Sequence, residues 1–354
     1  MKRIFTIAAI AAAALASVCC RQAKEEEPSG PLSIIFETDM GNDVDDAMAL
    51  DLLYKYMDEG RINLLGVMLN KVEYGAAEYV DVARVWYGYP DVPIGIIKEG
   101  ADCSTDAVNY AAAVAGLRNE DGTPLFKRGV EDCSTLPLAV DLYRKILAEQ
   151  PDGSVTIVST GFSTNLARLL DSPADEYSEL CGKDLVAAKV ARLVTMAGCM
   201  LNETSPEYNI TKDVPSARKV FTEWPTEVIT SPFEVGIAIN YPGQSIQDDF
   251  GWAEHHPMVE AYKAYLPMPY DRPTWDLTSV LYAVEGVCNG DTPYFNVVGP
   301  GSIDFTDTGC TIFTPDPHAD RYYLSADSLM CANVLGRFKE KMVLEPAAMA
   351  SSEQ

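Results

Sequence analysis

Residues 38–50 read TDMGNDVDDAMAL. Ahead of them, Ser33–Thr38 is apolar and β-branched, the pattern of a buried strand. Behind them, Asp46–Glu59 places Ala49, Leu53, Tyr56 and Met57 at helical spacing, and Gly60 stops the run. A strand that feeds a helix through a short acidic loop opens an α/β fold. The same alternation continues along the chain. Strands are expected at Ile62–Leu69, Val92–Ile97, Val155–Ser159, Arg192–Met196 and Glu227–Thr230. Helices are expected at Ala76–Tyr87, Leu138–Glu149, Thr164–Leu170 and Val214–Glu223. Past residue 240 the pattern loosens into Pro- and aromatic-rich loops, with a helix at Trp275–Val284, a strand pair over 294–313 and a last helix near Ala326–Lys341. The expected fold is α/β, an open, mostly parallel sheet with helices on both faces, a Rossmann-like core.

In such a sheet the binding crevice lies beyond the carboxyl ends of the strands. That rule selects Glu37-Thr38-Asp39, Asn70, Thr160-Gly161, and the segment from Gly198 through Asn202, Glu207 and Asn209. The loop after the first strand is the densest of these. Asp39, Asp43, Asp45 and Asp46 fall within eight residues. A single Asp before a helix is ordinarily a cap. Four at one strand end repel one another and call for a cation, and oxygen ligands at this density suit calcium. The spacing does not fit an EF-hand, and Glu37 stands where a phosphatase-type D-x-D would need its nucleophilic Asp.

The charge balance narrows the partners. Across 354 residues, 27 Lys+Arg oppose 52 Asp+Glu, a net charge of −25. That field repels phosphate backbones, which argues against nucleic acid, and leaves neutral or cationic small molecules and divalent cations as partners. The N-terminus reads as an address. Lys2 and Arg3 precede an apolar run from Ile4 to Val18, then Cys19 and Cys20. The run is shorter than the ~20 residues of a membrane span, so 1–20 is expected to be a secretory signal of lipoprotein type, acylated at Cys20 or Cys19. Residues 21–31 (RQAKEEEPSGP) read as a flexible tether. The acidic triplet in it resembles the surface-export signal of Bacteroidetes lipoproteins. Residues 32–345 are expected to form a single domain, exported to the periplasm or cell surface and held to the outer membrane only by the lipid. The other seven cysteines show no CxxC and no disulfide framework.

The motifs together resemble the inosine–uridine-preferring nucleoside hydrolases. Asp39, Gly41 and Asp45-Asp46-Ala47-x-Ala49 are similar to that family's D-x-D-P-G-x-D-D-A-x-A signature. VTIVSTGFSTNLA at 155–167 is similar to its strand–TG–x–x–T–N–x–A element, and MAGCMLNETSPEYN at 196–209 to its M-G-G…N…E-x-N segment. Trp275-Asp276 stands at its late Asp. The resemblance implies a calcium-dependent hydrolase that splits nucleosides into base and ribose for salvage, and a homo-oligomer. It implies Asp39, Asp46 and Asp276 as carboxylate ligands, the Thr160 carbonyl as a further ligand, and Asp45 as the base that takes a proton from water. It implies Asn70, Asn202, Glu207 and Asn209 as sugar-binding residues. Four departures stand out. The loop is two residues longer, which gives Asp43 a place in the metal shell or as the base. Glu37 replaces the first Asp of the signature. Met40 replaces its Pro. Trp275 stands where many members carry the His that protonates the leaving base. Purine-specific members stack the base between aromatics, a role open to Trp275, Trp252, Tyr241 or Tyr270, and His255 or His256 are other candidate acids. Two further functions fit the residues: a hydrolase of another pentosyl or glycosyl compound, and a non-catalytic nucleoside- or sugar-binding lipoprotein.

Overall fold

The computed structural model describes residues 30–350, except 102 and 104–107. The expected signal segment and nearly all of the tether, residues 1–29, lie outside the described residues. Six strands run parallel: β1 (Leu32–Thr38), β2 (Ile62–Leu69), β3 (Ile94–Gly95), β4 (Val155–Thr160), β5 (Val190–Met196) and β6 (Glu227–Ser231). Their spatial order is β3-β2-β1-β4-β5-β6. The order reverses between β1 and β4, so the crevice for a ligand opens at the ends of those two strands. Beyond β6 the sheet continues with Arg321–Ser325, Asn296–Phe305 and Thr311–Pro315. The first of these is parallel to β6, and the other two are antiparallel additions at the edge.

The alternation of side chains along each strand divides the core in two. Ile34 and Phe36 of β1, Val158 of β4 and Val194 of β5 face helices α1 (Asp45–Asp58) and α2 (Tyr74–Trp86) and the helix Trp275–Glu285. Ile35, Ile157 and Leu193 face helices Ala139–Glu149, Thr164–Asp171 and Val214–Glu223. A central strand buried on both faces reads as a continuous apolar run, which is why β1 and β4 were evident in the sequence.

The structure differs from the expectations at three places. Val92–Ile97 shortens to Ile94–Gly95. Flanking it, Ile96 bridges Leu138 instead of extending the strand. The region after 240 holds helices Gly243–Asp248 and Pro257–Tyr265, where loops were expected. The strand Arg321–Ser325 was not anticipated, although it joins the terminal strand pair to β6. No disulfide joins the seven described cysteines.

Helix α1 and the helix Trp275–Glu285 pack against each other. Each begins with acids in its first turn, Asp45 and Asp46 on one and Asp276 on the other. Their N-termini converge at the ends of β1 and β4.

Candidate active site

Asp45, Asp46 and Asp276 are 2%, 1% and 5% exposed. Each offers one carboxylate oxygen to a group whose atoms lie within 4.8 Å of one another. The arrangement is held from several sides. The Asp276 backbone N–H donates to Asp45 Oδ2 at 3.1 Å, and the Thr38 hydroxyl donates to Asp46 Oδ1. Thr38 Oγ1 in turn accepts from the Met40 N–H at 3.1 Å, which sets the chain just after Asp39. Thr160 pairs in register with Thr38, and Thr160 and Asp39 border the same cavity.

At an effective dielectric of about 20, two unit charges at such a separation repel by roughly 3 kcal/mol. Three pairs exceed what two helix dipoles return, on the order of 1 kcal/mol each. The groups respond by holding protons. Burial raises the Asp45 carboxyl well above its ordinary range, with Asp43 and Asp46 adding to the effect. Burial raises Asp46 and then Asp39 does. Burial raises Asp276, with Asp45, Asp46 and Asp39 adding. The donor set is all carboxylate oxygen, and the Arg272 guanidinium near it is paired with Asp43. It therefore fits a hard divalent cation.

Behind the cluster, Glu37 is fully buried. It accepts from Tyr143 Oη and from Asn70 Nδ2, the latter at 3.2 Å. Burial pushes its carboxyl up to about 7 against those hydrogen bonds. Gly161 lets this layer close up, because a Cβ there would fall 2.6 Å from Asn70 Oδ1 and 2.8 Å from the Asp39 nitrogen.

The cavity in front of the cluster is a cleft open to solvent, with the carboxylates at its floor. Glu207 and Asn209 form one wall. Glu207 caps the helix Tyr208–Lys212 by accepting from the Asn209 N–H at 2.9 Å and the Ile210 N–H at 3.2 Å, and also holds the Gly198 N–H at 3.2 Å. Burial raises its carboxyl, and these N–H groups oppose the rise. Asn209 Nδ2 donates to the Met196 carbonyl at 3.3 Å. The opposite wall is aromatic. Trp275 stacks on Phe233 with ring centres 5.6 Å apart and donates Nε1–H to the Phe233 carbonyl at 3.0 Å.

Of the residues singled out in the sequence, Asp39, Asp45, Asp46, Thr160, Glu207, Asn209, Trp275 and Asp276 border this one cavity. Two of the anticipated sugar contacts are placed elsewhere. Asn70 is buried under Gly161 and supports Glu37. Asn202 is an exposed turn residue whose Oδ1 accepts from Thr204. Asp43 also borders the cavity, but it takes a bidentate grip from Arg272.

Among the described residues no histidine lines the cavity. His256 is boxed by Trp86, Phe250 and Trp252 and caps the helix Pro257–Tyr265 through the Met258 N–H. Burial holds it well below its ordinary pKa, and hence neutral. His255 faces Glu260 at the surface. Trp252 belongs to the His256 box, Tyr241 is fully buried, and Tyr270 stacks on Tyr262. Tyr208 and Phe233 were missed. Tyr208 stands between two selected residues, and Phe233 follows the end of β6, where the strand-end rule applies equally.

Fold and site together define an α/β protein with an acidic, cation-ready crevice at its topological switch point. The sequence model of the inosine-uridine preferring nucleoside hydrolases matches residues 34–310, and the chain belongs to that family. It is 42% identical over 93 residues to the pyrimidine-specific ribonucleoside hydrolase RihA of Salmonella newport (strain SL254), a match that spans 25% of this chain and 25% of that protein. Its fold is similar to that of an inosine-guanosine nucleoside hydrolase, with TM-score 0.64 and 16% identity over 87% of this chain and 99% of that one. It is similar as well to the purine-preferring ribonucleoside hydrolase from Gardnerella vaginalis, with TM-score 0.62 and 15% identity over 88% of this chain and all of that one.

The raised carboxyls give a pH prediction. A group whose folded pKa is raised stabilises the metal-free fold at low pH and loses that contribution as pH rises through the folded value. A cation must displace these protons to bind. Calcium is therefore expected to raise the melting temperature more at pH 8 than at pH 5, with protons released in a weakly buffered titration. An equal calcium increment at both pH values would contradict the assignment.

Proposed function

We propose that the protein hydrolyses the N-glycosidic bond of nucleosides to free base and ribose, with calcium as its metal. The observation that carries the reading is the buried triad Asp45, Asp46 and Asp276 at the floor of an open cleft that Glu207 and Asn209 line with polar groups and Trp275, Phe233 and Tyr208 with rings. Asp39, Asp46, Asp276 and the Thr160 carbonyl are the residues that would hold the ion. When bound, calcium supplies positive charge that orients hydroxyl oxygens and acidifies water.

The chain's own groups then have distinct tasks. Asp45 takes a proton from the attacking water, whose oxygen bonds to the anomeric carbon as the bond from that carbon to the base nitrogen breaks; the electron pair passes to that nitrogen, and the departing base takes a proton from solvent. The anionic cluster favours the positive charge that the sugar ring develops. Glu207 and Asn209 face the sugar hydroxyls and fix its orientation. Trp275, Phe233 and Tyr208 give the departing base an apolar surface. With no histidine on the described cavity, the base leaves against rings rather than against an imidazole. That feature is what favours the second reading, a hydrolase of another pentosyl compound with a more readily departing group.

The test incubates the mature chain with calcium and a panel of purine nucleosides, pyrimidine nucleosides and reporter pentosides, and chromatographs the free base. Calcium-dependent base release is expected. Asp45→Asn is expected to lower turnover by at least about a hundredfold while calcium stays bound. Release from the reporters alone would replace this reading with the second, and binding without any release would leave a sugar-binding protein.

We propose also that the chain is exported and lipid-anchored at Cys20 or Cys19, and that it assembles as a homo-oligomer. The basic start, the apolar run and the paired cysteines support the anchor. Labelled palmitate is expected in the wild type and absent after Cys19→Ser/Cys20→Ser; label retained in that double variant would remove the anchor.

A further inference from the structure

The loop Gly41–Val44 between β1 and α1 holds two cavity-lining residues, Asn42 and Asp43, that reach three other segments of the chain, at Lys71, Tyr208 and Arg272. Gly41 has φ +128°, a conformation that a side chain resists, and its carbonyl accepts from the Tyr110 N–H at 3.1 Å. Asn42 Oδ1 then accepts from Lys71 Nζ at 3.1 Å, and Asn42 Nδ2 donates to Tyr208 Oη at 3.4 Å. Asp43 Oδ1 accepts from Arg272 Nε at 2.8 Å, and its second oxygen from Arg272 Nη2. The planar guanidinium matches a carboxylate in this two-point geometry, which a lysine cannot reproduce.

Arg272 is also seated between rings. Its guanidinium carbon lies 5.0 Å from the Tyr265 ring centre and 5.4 Å from that of Trp275. Trp275 is tightly packed on another side, since a Cβ on Gly236 would fall 2.3 Å from its Cδ1. Its indole is thus fixed by Phe233, by Gly236 and by the arginine.

We propose that the Asp43–Arg272 pair is a clamp: Arg272 positions the Trp275 wall that the leaving group meets, and Asp43 holds the guanidinium away from the neighbouring carboxylates. Asp43 is on this account neither metal ligand nor base. Freed of Asp43, Arg272 would be drawn to the anionic cluster and would oppose a cation there. With both removed, the local charge returns to its starting value. The leaving-group part rests on the nucleoside-hydrolase reading; the rest does not.

The experiment compares wild type, Asp43→Asn, Arg272→Ala, Arg272→Lys and Asp43→Asn/Arg272→Ala as full chains. It reads calcium affinity by calorimetry, acrylamide quenching of the Trp275 emission (taken as the difference from Trp275→Phe in each background), and KM and kcat on whichever nucleoside the wild type cleaves. Arg272→Ala is expected to increase quenching and to raise KM on the order of tenfold, with a smaller change in kcat. Asp43→Asn is expected to weaken calcium on the order of tenfold, and the double variant to recover most of that loss. Arg272→Lys keeps the charge without the fork, and is expected to show the quenching change even where Arg272→Ala folds poorly. Unchanged quenching and KM in both Arg272 variants would overturn the positioning role. A double variant as weak for calcium as Asp43→Asn would make Asp43 a ligand and overturn the clamp. If the wild type releases no base, the functional reading falls, while quenching and calcium affinity still decide the clamp.

Discussion

Mutual repulsion among Asp45, Asp46 and Asp276 is the constraint around which the rest of the structure is arranged. Three carboxylates packed within 4.8 Å of one another and closed off from water do not stay together unaided. The sheet supplies the scaffold. Its order reverses between β1 and β4, leaving a crevice where two helices can both direct their N-termini. The layer behind, Glu37 with Tyr143 and Asn70 under Gly161, is closely packed and hydrogen-bonded, so the acids in front cannot retreat. What remains is a choice between protons and a cation, and that choice is the chemistry of the site.

The walls follow from the same arrangement. Glu207 reaches the cavity because it caps the helix after β5, with its lone pairs largely spent on backbone N–H groups. Trp275 reaches it because it immediately precedes Asp276 on the helix that delivers the third acid. The aromatic wall is therefore anchored to the helix that carries the third acid, and the polar wall to the helix that follows β5.

Much of this was legible in the sequence. β1, β2, β4, β5 and β6 are buried runs with the period of strands, and the rule about strand ends led directly to Asp39, Asp45, Asp46, Thr160 and Glu207. The misreadings have physical causes. Arg321–Ser325 pairs with residues about ninety positions away, and its alternation in Arg-Tyr-Tyr-Leu-Ser is too short to stand out. Asn202 was selected by the same rule, yet its side chain closes a local turn with Thr204, as asparagine commonly does. The Asp43–Arg272 pair joins residues 229 positions apart, and no local pattern marks such a partner. His256 was a candidate acid in the sequence, but it is walled in by Trp86, Phe250 and Trp252 away from the cavity, and Trp86 lies far from it along the chain.

The central claim is that the acidic cluster exists to hold one divalent cation. The most direct measurement is a crystal structure of the calcium-loaded protein with anomalous data. The account predicts one ion per chain, bound by oxygens of Asp39, Asp46, Asp276 and the Thr160 carbonyl at about 2.3–2.6 Å, with Asp43 still on Arg272. An ion seated on Asp43, or a site that stays closed by protons at saturating calcium, would contradict it.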